Sequence, residues 1–282
     1  MWAALSVLAG FGDATVYAAM KKLQGIDPLV IVWVRFAFAI PFLVLSLFFY
    51  DHSWPARQFY PAMVLNALLI ALGSYLMYWA TQRSDLSKSI PLLNLTPLLL
   101  ILTSYLMLGE EPAISGVFGI ILIVIGAFAI NISEAHHGIL EPFRILLKNK
   151  GALCVAAVAV IYSVTASLSK IGILYSDPAL FSLASYVFIA VLFLPSFANG
   201  VSRINFRKNL PLFIIMGTAG GVMMFTAAVA VKMALVSYVI SLKRLSTFFS
   251  VLYGYFLFKE SGIRGSLLGT CLMICGALLI TV

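Results

Sequence analysis

Residues 237–258 read SYVISLKRLSTFFSVLYGYFLF. Apart from the adjacent cations Lys243 and Arg244, this is a membrane-spanning helix by length and composition, since about 20 apolar residues cross a hydrocarbon core of about 30 Å. The span is expected to begin at residue 235, which places Lys243 about 12 Å inside it at 1.5 Å per residue. Half the hydrocarbon core is about 15 Å, so the pair sits near the midplane. A lysine or arginine facing lipid at that depth costs about 2.5–3.5 kcal/mol. Successive helical positions are about 100° apart, so both side chains can reach one cavity. The stretch therefore reads as a membrane helix whose cations face water inside the protein and bind something negative.

The rest of the chain agrees with a bilayer. It has 282 residues, 62% of them hydrophobic and 10% charged. A soluble domain carries about 25% charged residues. The net charge of +8 lies mostly in short loops, which fits the cytoplasmic bias of basic residues rather than nucleic-acid binding. Cys154, Cys271 and Cys275 all fall in apolar segments at spacings that match no metal site, and they read as small packing residues. The first apolar segment has no basic leader and no small-residue cleavage site, so it reads as a retained span.

Ten spans are expected, at 2–20, 29–50, 60–82, 86–108, 113–132, 151–170, 178–198, 210–231, 235–258 and 262–281. The longest connection, 133–150, falls at the midpoint. A shift of 150 residues brings the halves into register without gaps. Asp27-Pro28 then meets Asp177-Pro178, Pro61 meets Pro211, and Ser87 meets Ser237. Glu110 meets Glu260, Gly119 meets Gly269, and Gly126-Ala127 meets Gly276-Ala277.

Five spans per half oblige the second half to enter the membrane from the opposite side. Charge argues the same way. Lys21, Lys22, Arg83 and Lys88 outweigh Arg57 in the first half. In the second, Arg203, Arg207, Lys208, Lys259 and Arg264, in the other pair of loops, outweigh Lys170 and Lys232. With Arg144, Lys148 and Lys150 in the central loop, the majority side is the cytoplasm and both termini face outward. The expected fold is thus an all-α integral membrane protein of ten transmembrane helices in two inverted five-helix repeats, residues 1–132 and 151–282. Inverted repeats point to alternating access around a central site.

Two stretches carry a family likeness: YLMLGEEPAISGVFGIILIVIGAFAI (105–130) and its echo YGYFLFKESGIRGSLLGTCLMICGALLI (253–280). Each is a helix, a tight acidic turn and a glycine-bearing helix. With DPLVIVWVRF (27–36), they resemble the drug/metabolite transporter superfamily, of the EamA type. The resemblance covers essentially the whole chain. It implies a ten-helix secondary transporter whose cavity is lined mainly by helices 3, 4, 8 and 9, with helices 5 and 10 outside. The Lys-Arg pair of the ninth span further resembles the plastid phosphate translocators, where such a pair helps bind the substrate's phosphate. Those proteins also use a lysine in the fourth span. Here that span reads IPLLNLTPLL (90–99), with Leu93 matching Lys243 and Asn94 matching Arg244.

Four ionisable residues lie well inside expected spans: Asp13, Arg35, Lys243 and Arg244. Their sum is +2, which a bound anion would neutralise; the alternative is an internal ion-pair network with Asp13 bridging to Arg244 or Arg35. Arginine suits bidentate recognition of carboxylate or phosphate, and lysine adds a compact charge. Asp13 reads either as a coupling carboxylate or as the partner of a cation, and Arg35 as a structural pair. Asn94 sits between Pro91 and Pro97, where prolines kink the helix and free carbonyls beside a cavity. Tyr75, Tyr78 and Trp79 on the third span are further substrate-contact candidates. Glu110, Glu111 and Glu260 are expected to cap the fifth and tenth spans, with a gating role the alternative. Gly265, Gly269 and Gly276, with Ser115, Gly119 and Gly126, are expected to pack those spans against their own halves.

The expected function is secondary transport, without ATP, of a small anionic or zwitterionic metabolite, as an exchanger or by proton coupling. An exporter of amino acids or amphipathic drugs is the alternative, and a lipid scramblase or membrane enzyme a remoter one. No P-loop, HExxH or GxSxG motif is present, so neither an enzyme nor ATP-driven pumping by this chain is expected. His52, His136 and His137 lie in loops, and no metal or cofactor is expected. The expected partners are the bilayer and a small molecule, with a monomer favoured over a homodimer and no nucleic acid. The expected location is the cell membrane of a prokaryote.

Overall fold

The computed structural model describes residues 1–23, 26–49, 54–81, 90–135, 150–200, 206–259 and 263–281. His52, Arg83, Ser87, Lys88, His136, His137, Arg144, Lys148, Arg203 and Glu260 lie outside these residues, as do the side chains of Tyr78, Trp79, Lys150, Arg264 and Gly265.

Helix is the only regular structure among the described residues, and the described parts of all ten expected spans are helical. In chain order these are α1 (Trp2–Lys22), α2 (Pro28–Ala37), α3 (Ile40–Leu47) and α4 (Phe59–Thr81). A 3₁₀ segment (Ile90–Leu95) then leads into α5 (Thr96–Leu108) and α6 (Ile114–Ala135). The second half comprises α7 (Lys150–Leu174), α8 (Pro178–Gly200), α9 (Phe206–Met233), α10 (Val236–Lys243), α11 (Ser246–Phe258) and α12 (Ile263–Thr281). Among the described residues six helical stretches are long and apolar enough to cross a membrane: 2–22, 29–47, 59–77, 153–174, 178–198 and 206–233.

The paired Asp-Pro signals start helices. Asp27 Oδ1 accepts the Leu29 N–H at 2.9 Å, with Pro28 in the first turn. Asp177 Oδ1 accepts both Ala179 N–H and Leu180 N–H at 2.8 Å. Proline needs no partner for a missing N–H there, and the carboxylate satisfies donors the helix cannot. Asp177→Ala removes two such bonds and is expected to lower stability by about 1–2 kcal/mol. Asp27→Ala should cost less, and thermal unfolding in detergent measures both.

Three expected spans are broken rather than continuous. The second breaks at Phe38–Ala39 because Pro41 cannot donate to the carbonyl four residues back. In the fourth, Pro97 frees the Leu93 carbonyl, which accepts instead from the Thr96 hydroxyl at 2.6 Å. The ninth breaks without proline, between Lys243 and Ser246. There Arg244 N–H and Leu245 N–H each bond three residues back, to Ser241 and Leu242 carbonyls at 3.0 Å. Gly10 of α1 lies so close to this break that a Cβ on it would sit 2.8 Å from the Lys243 carbonyl oxygen.

The packing pairs repeat between halves. α1 lies along α9, and α4 along α7, which is the same pairing shifted by 150 residues. α7 meets α5, as α1 meets α10 and α11, and α8 crosses α2 and α3. The most extensive contact is α6 with α12. This corrects the expectation that the small residues of each pack within their own half. A Cβ on Gly119 would lie 2.6 Å from the Gly276 carbonyl oxygen, and one on Gly126 would lie 2.5 Å from that of Gly269. Rising along α6 means falling along α12, so the two cross antiparallel. Glycine faces glycine because only bare backbones fit at that distance.

Two further expectations are corrected. Glu110 is not turned onto α6: its Oε2 accepts the Val236 N–H of α10 at 2.9 Å. Cys271 and Cys275 are exposed on α12 rather than packed. They share the outer surface with large apolar side chains such as Phe256, Leu268 and Leu278. An apolar exterior on this scale suits acyl chains.

Candidate functional site

Asp13, on α1, is 6% exposed. Lys243, the last residue of α10, brings its Nζ to 4.0 Å from Asp13 Oδ1. Arg244, in the break, and Arg35, on α2, also act electrostatically on or with this carboxylate. The four charges that the sequence scatters over 232 positions, from 13 to 244, therefore come within electrostatic reach of one another. Three are positive and one negative.

Aromatic hydroxyls complete the cluster. Tyr17 lies one turn beyond Asp13 on the same face of α1, and Tyr162 of α7 and Tyr186 of α8 face the same charges. Tyr186 donates to the Gly220 carbonyl at 3.3 Å and meets the Phe36 ring edge-on at 4.8 Å. Ser74 of α4 lies near the Tyr162 hydroxyl. The Arg35 guanidinium lies 5.6 Å from the Phe36 ring centre and sends Nη2 toward Met223 Sδ at 3.9 Å.

Polar capacity is left over. Arg35 Nε, Arg244 Nε and Asn94 Nδ2 are buried without a hydrogen-bond partner among the described residues. A buried donor left unmade costs about 1–3 kcal/mol, more if charged. Yet the cluster is not closed. Tyr17 sits among these interior charges with 37% of its surface free, and the Lys243 side chain keeps 22%. Free surface on residues that face one another inside a helical bundle marks an internal space rather than lipid.

The charges and hydroxyls come from α1, α2, α7, α8 and the α10–α11 break, with α4 and α9 supporting through Ser74, Gly220 and Met223. Asn94, 4% exposed, lies on the 3₁₀ segment that packs on α7 beside Tyr162. Tyr75 is not brought in. Its neighbour Ser74 faces Tyr162, and Tyr75 points about 100° away with 47% of its surface exposed. The three tyrosines of the cluster were not among the sequence candidates; the spacing of Tyr17 four residues after Asp13 was the available signal. Among the described residues no three His, Cys, Asp or Glu side chains are grouped as a metal site requires.

Comparison with known proteins gives this geometry its setting. The model of the EamA-like transporter family matches residues 1–132 and again 149–282. The chain belongs to the EamA-like transporter family. It is accordingly a multi-pass integral membrane protein. Over 71 residues it is 33% identical to an uncharacterized protein of Methanocaldococcus jannaschii. That match covers 25% of this EamA-like chain and 52% of the relative, so the chain spans about half the length of the curated relative it matches. A solved structure described only as "Crystal structure of protein" superposes with a TM-score of 0.78. The superposition covers 99% of this chain and 96% of the other at 17% identity, a likeness of fold.

Proposed function

We propose that this EamA-like protein is a secondary transporter of a small anionic or zwitterionic metabolite, working by alternating access between two inverted five-helix repeats. The substrate occupies the space beside Lys243, Arg244, Arg35 and Asp13. The observation that carries the reading is the uncompensated +2 of four charges held together inside apolar helices. A structural network would balance, because unpaired charge in low dielectric is costly. An arriving carboxylate or phosphate supplies the missing charge and acceptors for the guanidinium donors. Asp13 beside Lys243 leaves room for a substrate ammonium as well, which is why a zwitterion belongs to the proposal.

Support for two inverted repeats comes from the packing. Equivalent helices pair equivalently across the 150-residue shift, and the mates α6 and α12 cross antiparallel. The broken spans support a site between them: the 3₁₀–α5 junction at 95–96 falls within the stretch that matches the α10–α11 break at 243–246. A bundle with two related halves can open to either side by exchanging their arrangements. The cell membrane of a prokaryote and a monomeric transporter are part of the same proposal.

The test is flux in proteoliposomes. Labelled organic anions, phosphate esters and neutral amino acids are offered separately, with and without the same compound trapped inside. Saturable anion or zwitterion uptake, faster into loaded vesicles, is expected. Flux confined to cationic or uncharged solutes would overturn the reading.

A further inference from the structure

Away from the charge cluster, a second ion pair lies where the halves meet. Glu110 follows Gly109, the left-handed residue that ends α5 at φ 66°. Its side chain is 8% exposed and that of Lys170, near the end of α7, is 14% exposed; Lys170 Nζ contacts Glu110 Oε1. Lys170 also donates to the Ala234 carbonyl at 2.7 Å, and Glu110 Oε2 accepts the Val236 N–H at 2.9 Å. A second tie runs alongside, from Ala113 N–H to the Tyr238 hydroxyl at 2.9 Å. The turn between α5 and α6 in the first half thus grips the start of α10 and the end of α7 in the second, and Lys170 in turn holds the α9–α10 junction at Ala234.

Beneath this grip lies an apolar layer. Leu100 of α5, Val231 of α9 and Val239 of α10 are buried in one cluster, which also takes in Ile173 and Val236 at the level of the ion pair. The cations stand farther in: Lys243 is seven residues beyond Val236, about 10 Å along α10. A buried carboxylate and ammonium, then a dry layer, then the charge cluster, is the order expected of a closed mouth.

We propose that Glu110 and Lys170 form a latch that holds this mouth closed and seats α10, the half-helix that ends at Lys243. The latch rests on the alternating-access reading. The residue matching Lys170 in the first half is Met20, so this lysine is not repeated at the equivalent position. The latch biases the resting protein toward the state in which this mouth is closed.

Ser237 makes a reporter. It is fully buried at the start of α10, and its hydroxyl has no partner among the described residues. Ser237→Cys, in a chain with Cys154, Cys271 and Cys275 changed to serine, is exposed to a membrane-impermeant maleimide in sealed vesicles of known orientation. Glu110→Gln keeps an acceptor for Val236 N–H but loses the ion pair, and Lys170→Met keeps only the length. Each is expected to raise the labelling rate about tenfold or more, from one side of the membrane only. Tyr238→Phe, which removes the second tie, should raise it less. Unchanged labelling in both charge variants overturns the latch. So does an equal rise from both sides, which means local unfolding. Anion flux tests the transport reading separately: flux with unchanged labelling sinks the latch alone, and changed labelling without such flux sinks the substrate reading alone.

Discussion

Arg244→Ala is expected to lower anion transport by about a hundredfold or more while the protein still unfolds cooperatively near its usual temperature. Removing one member of a buried, hydrogen-bonded charge contact costs about 2–5 kcal/mol, and each 1.4 kcal/mol is about tenfold. Arg244 Nε has no partner among the described residues, so little folding energy goes with the side chain. Lys243→Ala behaves differently. Lys243 Nζ is 4.0 Å from Asp13, so its loss strands a buried carboxylate and lowers stability along with transport. Adding Asp13→Asn to Lys243→Ala should restore the melting temperature but not the flux. Arg244→Lys keeps the charge and loses the planar fork, and should recover only part of the affinity. Initial rates in proteoliposomes, set beside melting curves, separate these outcomes. Normal flux in Arg244→Ala and in the double variant would leave the cations a structural role only.

The spans were legible because hydrocarbon imposes a length on any helix that crosses it. The charges were legible because an ionisable residue inside a span is rare and needs a reason. Proline announced the break at 95–96, and Pro41 was the available signal for the one at 38–39, where a continuous span was expected. Nothing comparable announced the break at Lys243–Ser246, where the close approach of Gly10 and three-residue hydrogen bonds stand in for proline. Tyr17, Tyr162 and Tyr186 escaped notice because tyrosine in a span is ordinarily interfacial. Their convergence depends on which helix faces which. The same holds for Glu110, whose partners lie 60 and 126 positions away. Local sequence marks a helix end, but the choice of partner across the halves is tertiary. The glycine motif of α12 shows this most sharply, since its spacing says that something approaches closely and not what.

That close approach carries the other large effect. Gly126→Ala and Gly269→Ala are each expected to lower stability by about 2–3 kcal/mol, and Gly126→Leu to prevent recovery of a monodisperse protein. An added Cβ at Gly126 would lie 2.5 Å from the Gly269 carbonyl oxygen, 2.7 Å from Met273 Cγ and 2.9 Å from Met273 N. Two of those three atoms are backbone, so no rotamer relieves the overlap and the helices must part. Overpacking of this kind costs about 1–3 kcal/mol in ordinary cores. In a membrane the loss is felt fully, because helix association there rests on packing and hydrogen bonds rather than on exclusion of water. The clash is reciprocal, since a Cβ on Gly269 meets the Gly126 oxygen at 2.6 Å. Parting the helices once accommodates both, so the double alanine variant should lose much less than the sum. Gly220→Ala is the control: its nearest neighbours stand at 3.8 Å, and alanine in a helix interior is favoured over glycine by about 0.5–1 kcal/mol. Melting temperature and elution profile in detergent give both readings. A Gly126→Leu protein that elutes and melts like the parent would mean that α6 and α12 are not the seam between the halves.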